Sequence, residues 1–141
     1  MQKDKFFTLF RYSSNFSIFS FLHPDSQAKV MVDLLWSDPI EENGMRKNTN
    51  REVGIYFGPD VTQAFCRRNN LKYIVRSHQR VQEGAIFSHG DRCLTVFSAA
   101  NYPAGMGNNM GAFVVIDDEL NAFIEQFDHA EQPMAVNDFD Y

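Results

Sequence analysis

The sequence has few cysteines, and this shortage excludes one class of metal protein. Its 141 residues contain only two, Cys66 and Cys93, which lie too far apart for the closely spaced thiolates of a structural metal knuckle. Two thiols in a chain of this size are typical of a reducing compartment, cytoplasmic or nuclear, and we expect both to be free and buried. A disulfide between them is the minor alternative.

Long apolar runs are also missing, which argues against a membrane-spanning protein. The longest stretches, residues 6–10 and 16–22, are interrupted by polar residues and fall short of the roughly 20 that a spanning helix needs. No small-residue cleavage site of a secretory signal follows them. The alternating "FSIFSF" either forms a strand or belongs to a segment outside the domain, and we slightly favour the second interpretation.

Residues 117–141 contain eight acids and no Lys or Arg, whereas residues 46–92 carry nine of the thirteen basic residues. This division is typical of an anion-handling centre followed by an acidic tail, although solvated surface faces would give the same pattern. The net charge of −5 argues against a general nucleic-acid binder. The basic residues also lack the interleaved aromatic residues of such a protein.

The chain is long enough for one domain of mixed helices and strands. "PDVTQAFCRRNN" predicts a helix, because proline and an acid suit its first turn and the two asparagines suit its end. "KVMVDLLW" is a short apolar run that stops at the turn signal "SDP", and residues 40–50 are polar and predict a loop. Strands are predicted at residues 51–58, 71–77, 85–88, 93–98, 112–117 and 121–127.

Five separated motifs carry a resemblance to a known family. "DLLWSDP", "REVGIYFG", "RSHQ", "FSAANY" and "NMGAFVVID" occur in the order and spacing of the phosphoprotein phosphatases, calcineurin-like metallophosphoesterases that act on phosphoserine and phosphothreonine. The resemblance covers residues 33–117 and the carboxyl-terminal part of that catalytic domain. "YFGPDVTQ" and "RSH" are most similar to the branch that carries EF-hands, although no EF-hand loop pattern occurs in this chain.

The resemblance implies a fold and a division of the chain. The fold is α/β (α+β), with mixed and antiparallel strands of a two-sheet sandwich, a flanking helix and an incomplete set of strands. Residues 1–25 are a Phe- and Ser-rich segment outside the family, residues 26–128 are the carboxyl-terminal part of the catalytic domain, and residues 129–141 are a mobile acidic tail. Strands without the rest of the sandwich would expose sheet edges and apolar faces.

The same resemblance implies chemistry and candidate site residues. Two divalent ions, drawn from manganese, iron and zinc, hold the water that attacks the phosphoester. His78 resembles a ligand to one ion, although a lone histidine at a strand end is more often a simple hydrogen-bonded residue. Arg51 resembles the arginine that grips the substrate phosphate. Tyr102 resembles a tyrosine that borders the site, where its hydroxyl group can contact the substrate phosphate or an inhibitor, with plain loop packing as an alternative of similar weight.

Other residues of the motifs are expected to be structural. Trp36 is expected in the core, and Asp38 is expected to fix the turn before Pro39 with its side chain. Asp33 belongs to the same structural group. His89 and His23 lack the context of metal ligands. Ala100 and Pro103 depart from the family pattern around Tyr102, a loop that influences substrate and inhibitor choice.

Three family motifs do not occur in the sequence. GDxHG, GDxxDRG and GNHE carry nearly all the metal ligands of the family, and one imidazole cannot retain a divalent ion by itself. We therefore expect a truncated form that binds no stable metal pair and has little activity alone. The expected partners are phosphoproteins, with a regulatory protein as a further candidate. The alternative function is a non-catalytic module that binds such a protein without cleaving it.

Overall fold

The computed structural model describes residues 5–8 and 24–130, which form two helices and nine strands. In chain order the elements are β1 (Lys5–Thr8), α1 (Pro24–Trp36), β2 (Asp38–Pro39), β3 (Met45–Lys47), β4 (Ile55–Phe57), α2 (Pro59–Asn69), β5 (Leu71–Arg76), β6 (Ala85–Ser88), β7 (Cys93–Val96), β8 (Gly111–Ile116) and β9 (Ala122–Phe127). The mixed α/β class predicted from the sequence is confirmed.

The strands form three small sheets. A four-stranded sheet has the order β1-β5-β7-β6, in which β5 is parallel to β1 and β7, while β6 is antiparallel to β7. A three-stranded sheet has the order β2-β4-β3, and β8 and β9 form an antiparallel pair. Among the described residues, the strands therefore form three sheets where two were expected, and β8 and β9 make a separate layer.

The main apolar core lies between the four-stranded sheet and the β8–β9 layer. Its most buried members are Ala85, Leu94 and Ala112, one from each of β6, β7 and β8. Alternate residues of a strand point to opposite faces, so the outer face of the β8–β9 layer is left uncovered. Phe113, Val115 and Phe123 are each more than half exposed there.

Helix α2 forms where the sequence predicted it. Pro59 occupies its first turn, where a missing amide proton costs nothing, and Asp60 places negative charge near the positive end of the helix dipole. Asn70 caps the end of the helix, because its left-handed backbone (φ 52°) lets its amide bond to the carbonyl oxygens of Arg67 and Cys66. Thr62 and Cys66 form its buried face.

Three expectations about residues 24–50 were wrong or incomplete. The run "KVMVDLLW" is the second half of α1, which begins at Pro24. The loop predicted over residues 40–50 contains strand β3. Trp36, expected in the core, is 37% exposed because α1 ends at the edge of the sheets.

Two expectations fall on residues that the structure does not describe. A strand in "FSIFSF" would occupy residues 16–21, and the acidic tail comprises residues 129–141, of which only 129 and 130 are described. Among the described residues, no helix has the length and apolar character needed to cross a membrane.

Candidate functional site

A buried carboxylate on β2 organises the candidate site. Asp38 accepts a hydrogen bond from Arg76 Nη2 at 3.0 Å on one oxygen, and from Arg51 Nε at 2.6 Å and Asn48 Nδ2 at 2.8 Å on the other. A buried charge persists only when it is paired and hydrogen-bonded in this way. Asp38 was expected to cap the turn before Pro39, and that expectation was wrong. We call Asp38, Asn48, Arg51 and Arg76 the Asp38 cluster.

Arg76 is the most buried cation of the cluster. It ends β5, and its guanidinium group also donates to the side chain of Gln79 at 2.9 Å and to the carbonyl oxygen of Ser37 at 3.2 Å. Burial lowers the pKa of Arg76, and the neighbouring Asp38 carboxylate partly offsets this effect. Two guanidinium groups share one carboxylate, so the cluster keeps one uncompensated positive charge.

Arg51 joins the Asp38 cluster to His78. It lies in the loop between β3 and β4, and its Nη2 donates to the carbonyl oxygen of His78. Its guanidinium carbon lies 5.6 Å from the centre of the Trp36 ring, within the range of a cation–π contact. Within residues 24–130, its Nη1 group has no hydrogen-bond partner, so donors remain for an incoming anion.

His78 lies two residues beyond the end of β5, with a left-handed backbone (φ 74°). Its Nδ1 lies 2.8 Å from the carbonyl oxygen of Leu35, and the edge of its ring contacts Trp36 at 4.5 Å between centroids. A carbonyl can only accept, so Nδ1 carries the proton of this bond. In the neutral ring, Nε2 is then left as a lone-pair donor, which a metal ligand requires.

Tyr102 lies in the long loop between β7 and β8 and is 52% exposed. Its ring packs edge-on against Phe97, and its carbonyl oxygen accepts from Arg80 Nη1 at 3.3 Å. Arg80 follows His78 by two residues, so this bond ties the Tyr102 loop to the segment after β5. No described contact joins Tyr102 to Arg51 or His78 directly.

The described residues do not by themselves fit a two-metal centre. They contain no group of three or more His, Cys, Asp or Glu side chains that could hold an ion. Both oxygens of Asp38 are occupied by hydrogen bonds. His89 is also occupied, because its nitrogens lie 2.7 Å from Thr62 Oγ1 and 2.9 Å from the carbonyl oxygen of Ile40. His78 Nε2 is the available donor beside the cluster.

An open cleft adjoins the Asp38 cluster. It has a volume of about 460 Å³, and its walls include Asn50, next to Arg51, and Gln79, next to His78. Glu41, Glu42 and Arg46 line its other side. A second cavity, of about 530 Å³, lies beside the end of α2 and contains none of the predicted site residues.

Comparison with known proteins agrees with the motifs. The family model described as calcineurin-like phosphoesterase matches residues 4–82. Human serine/threonine-protein phosphatase 5 is 47% identical over 110 residues, which are 78% of this chain and 21% of that protein. Human serine/threonine-protein phosphatase with EF-hands 2 is 44% identical over 99 residues, 70% of this chain and 13% of that protein.

A solved structure agrees as well. The structure of a protein serine/threonine phosphatase from Saccharomyces cerevisiae with similarity to human phosphatase PP5 has a TM-score of 0.64 and 36% identity. The match covers 74% of this chain and 35% of the yeast chain, so this chain spans about a third or less of each of these relatives. The family match begins within residues 1–25, and the proposed boundaries at residues 25 and 128 stay predictions. The resemblance carried by the motifs is confirmed, and the chain belongs to the calcineurin-like phosphoesterase family.

Proposed function

We propose that this chain is part of a metal-dependent protein serine/threonine phosphatase, in which Arg51 and Tyr102 contact the substrate phosphate and His78 is one metal ligand. The observation that carries the proposal is the hydrogen bond from Arg51 to the carbonyl oxygen of His78. It brings together two residues that lie 27 positions apart in the sequence. The similar human proteins are named serine/threonine phosphatases, which supports phosphoserine and phosphothreonine proteins as substrates.

Arg51 has the properties that phosphate recognition requires. Asp38 and the His78 carbonyl fix two of its nitrogens, and the third has no hydrogen-bond partner among residues 24–130. A guanidinium held in this way loses little conformational entropy when it binds an anion, and its planar donors match phosphate oxygens. The uncompensated positive charge of the Asp38 cluster would also stabilise a phosphate group.

The metal chemistry of the proposal needs more donors than the described residues offer. Metal ions of this family, proposed as manganese, iron or zinc, would supply a nucleophilic hydroxide when bound. His78 Nε2 provides one donor, and a divalent ion needs several in fixed geometry. We therefore derive no catalytic step, and we propose that the 141-residue chain alone hydrolyses phosphopeptides very slowly.

Binding tests the proposal without requiring turnover. The purified chain is titrated with a phosphoserine peptide and with the same peptide carrying serine. We expect tighter binding of the phosphorylated form, and Arg51→Ala should weaken it by about tenfold or more, as for a lost charge-assisted hydrogen bond. Arg68→Ala is the matched control, because Arg68 is exposed on α2 and does not line the cleft beside the Asp38 cluster. Equal binding of the two peptides would contradict the proposal.

Hydrolysis tests the second half of the proposal. The chain is incubated with the phosphoserine peptide and added manganese, and release of phosphate is measured. Little release is expected. Clear release that His78→Ala abolishes would show that the chain holds a working metal centre by itself, which contradicts the proposed slow hydrolysis.

The alternative is a module that binds a phosphoprotein or a regulatory protein without hydrolysing it. The scarcity of metal donors among the described residues favours it. The phosphopeptide is incubated with the chain, with the remaining segments of a relative's catalytic domain added as a separate polypeptide. If the peptide stays bound and is not hydrolysed, this function is supported. We also propose a reducing compartment, cytoplasmic or nuclear, which is consistent with the two free buried cysteines.

A further inference from the structure

Two buried asparagines lie in the two loops that carry the proposed phosphate contacts, one in each loop. Asn48 is fully buried and precedes Arg51 by three residues, and Asn109 is 2% exposed and follows Tyr102 by seven. Asparagine is seldom buried so completely unless its amide is fully hydrogen-bonded. Their bonds therefore indicate what each side chain holds in place.

Asn48 holds the main chain of Arg51. Its Oδ1 accepts from the amide of Arg51 at 3.1 Å and from that of Asn50 at 3.2 Å. Its Nδ2 donates to Asp38 at 2.8 Å and to the carbonyl oxygen of Trp36 at 3.3 Å. Because Arg51 Nε also donates to Asp38, a closed ring of hydrogen bonds fixes both the backbone and the side chain of Arg51.

Asn109 holds the main chain of Tyr102 in the same manner. Its Oδ1 accepts from the amide of Tyr102 at 2.9 Å. Its Nδ2 donates to the carbonyl oxygens of Ala99 at 2.8 Å and Met110 at 3.0 Å, which flank the loop. The loop has no strand pairing across this stretch, so these bonds replace the ladder that would otherwise fix its backbone.

Both arrangements need an amide side chain. An aspartate would accept from the backbone amide but could not donate, and at position 48 it would place a second carboxylate beside Asp38. An alanine would leave buried backbone groups unsatisfied in either loop. A serine keeps an oxygen for the backbone amide but lacks the two N–H donors.

We propose that Asn48 and Asn109 are paired positioning residues for phosphate binding, Asn48 acting through Arg51 and Asn109 through Tyr102. The inference rests on the proposed function. Loss of either amide would leave the contacting side chain present but displaced, and displacements of about 1 Å can cost up to about a hundredfold in recognition. If the two asparagines had only a structural role, their loss would lower stability, and the effect on peptide binding would not depend on whether Arg51 or the Tyr102 hydroxyl is present.

Double-mutant cycles distinguish the two roles. The dissociation constant for the phosphoserine peptide is measured for Asn48→Ala in the native, Arg51→Ala and Tyr102→Phe backgrounds, and for Asn109→Ala in the same three. We expect Asn48→Ala to weaken binding about tenfold in the native and Tyr102→Phe backgrounds, but less than about twofold once Arg51 is removed. Asn109→Ala should show the reverse pattern, with its effect lost only in the Tyr102→Phe background.

A matched control separates these effects from lower stability. Thr62→Val removes a different buried hydrogen bond, to His89, in which neither Arg51 nor Tyr102 takes part, and should leave the dissociation constant unchanged. If either alanine variant does not fold, Asn48→Ser and Asn109→Ser are tested in the same cycles, since serine retains the acceptor.

The outcomes separate this inference from the proposed function. If Arg51→Ala and Tyr102→Phe themselves leave peptide binding unchanged, the proposed function fails and the inference fails with it. If those two variants weaken binding but each asparagine variant has the same effect in all three backgrounds, the proposed function stands and the positioning inference is overturned. Weakening by Thr62→Val equal to that by the asparagine variants would also overturn it.

Discussion

Asp38 Oδ1 and Arg76 Nη2 lie 3.0 Å apart in a buried ion pair that joins the start of the three-stranded sheet to the end of β5. The side chain of Arg76 is 2% exposed and that of Asp38 is 7% exposed. The same carboxylate holds Arg51, so one buried charge both fastens two sheets together and positions the proposed phosphate contact.

Removal of the Asp38 carboxylate should therefore cost both stability and binding. Breaking a buried ion pair typically costs about 3–5 kcal/mol, because the remaining charge is left without a partner. We expect Asp38→Ala to lower the free energy of unfolding in urea by an amount in this range. Glu42→Ala, which removes an exposed pair with Arg46, should change it by less than about 1 kcal/mol. Equal effects of the two substitutions would contradict the role given to Asp38.

Gly54 is required by the turn that returns the Arg51 loop to β4. Its φ is +69°, and an added Cβ would lie 2.8 Å from the backbone carbon and oxygen of Trp36. Gly90 has a similar φ of +62°, but nothing lies within 4 Å of its added Cβ. Both alanine variants should lose about 1–2 kcal/mol of unfolding free energy, because a residue with a Cβ disfavours a left-handed backbone. Gly54→Ala should lose about 1–3 kcal/mol more from the clash, measured by urea unfolding. Similar losses at the two positions would show that the close contact is absent.

The β8–β9 turn should respond to acid. Hydrogen bonds from the backbone amide of Asn121, then from its side chain, lower the pKa of Asp117. The stabilisation from Asp117 is therefore present above its unfolded pKa, near 4, and is lost as the pH falls through the lower folded value. Asn121→Ala should move the pKa of Asp117 upward, as measured by NMR titration of its carboxyl carbon. The backbone amide of residue 121 remains in this variant, so the expected shift is partial, and an unchanged pKa would refute the contribution of the side chain.

The two cysteines should be unreactive in the folded chain. Burial raises the pKa of the Cys66 and Cys93 thiols, with Arg92 and Arg76 respectively opposing the shift. The thiolate is the reacting form, so iodoacetamide at pH 8 should alkylate both more slowly than free cysteine. In urea the difference should disappear. Because the pKa of each thiol is higher in the folded state, the protonated thiols stabilise the folded chain below their unfolded pKa. This contribution is lost as the pH rises through the pKa of the folded state. Rapid alkylation of native Cys93 would contradict its burial.

The sequence predicts those parts of the site that follow from local pattern. The helix over residues 59–69 carries its own start and stop signals, and His78 follows directly from the end of a predicted strand. The motifs around Arg51 and His78 are sufficient to indicate the family. Their contact could not be read from spacing, because it depends on how two loops from different sheets approach each other.

Long-range partners account for what the sequence left out. Arg76 and Asp38 lie 38 positions apart, and although Arg76 opens the motif "RSHQ" and Asp38 belongs to "DLLWSDP", neither motif indicates that the two side chains pair. The roles of Asn48 and Asn109 were also missed. Asparagine is typical of exposed loops, and only the closed backbone around each residue turns it into a buried anchor. The signal that could have suggested them is their position inside the two motif-bearing loops.

The prediction that Trp36 lies in the core was wrong for a related reason. Tryptophan usually contributes its large apolar area to a core, yet here its ring contacts the edge of His78 and the guanidinium group of Arg51. Its position at the end of α1 leaves one side exposed to solvent.

The side-chain NMR signals of the arginines test the central claim most directly, namely that Arg51 is the residue that receives the phosphate. The purified chain, labelled with ¹⁵N, is titrated with the phosphoserine peptide while the Nε–Hε signals are followed. We expect a saturable shift of the Arg51 signal, assigned with Arg51→Lys, and no shift of the signal of Arg68, which is exposed on α2 and outside the cleft. Saturation of binding with an unmoved Arg51 signal would contradict the account.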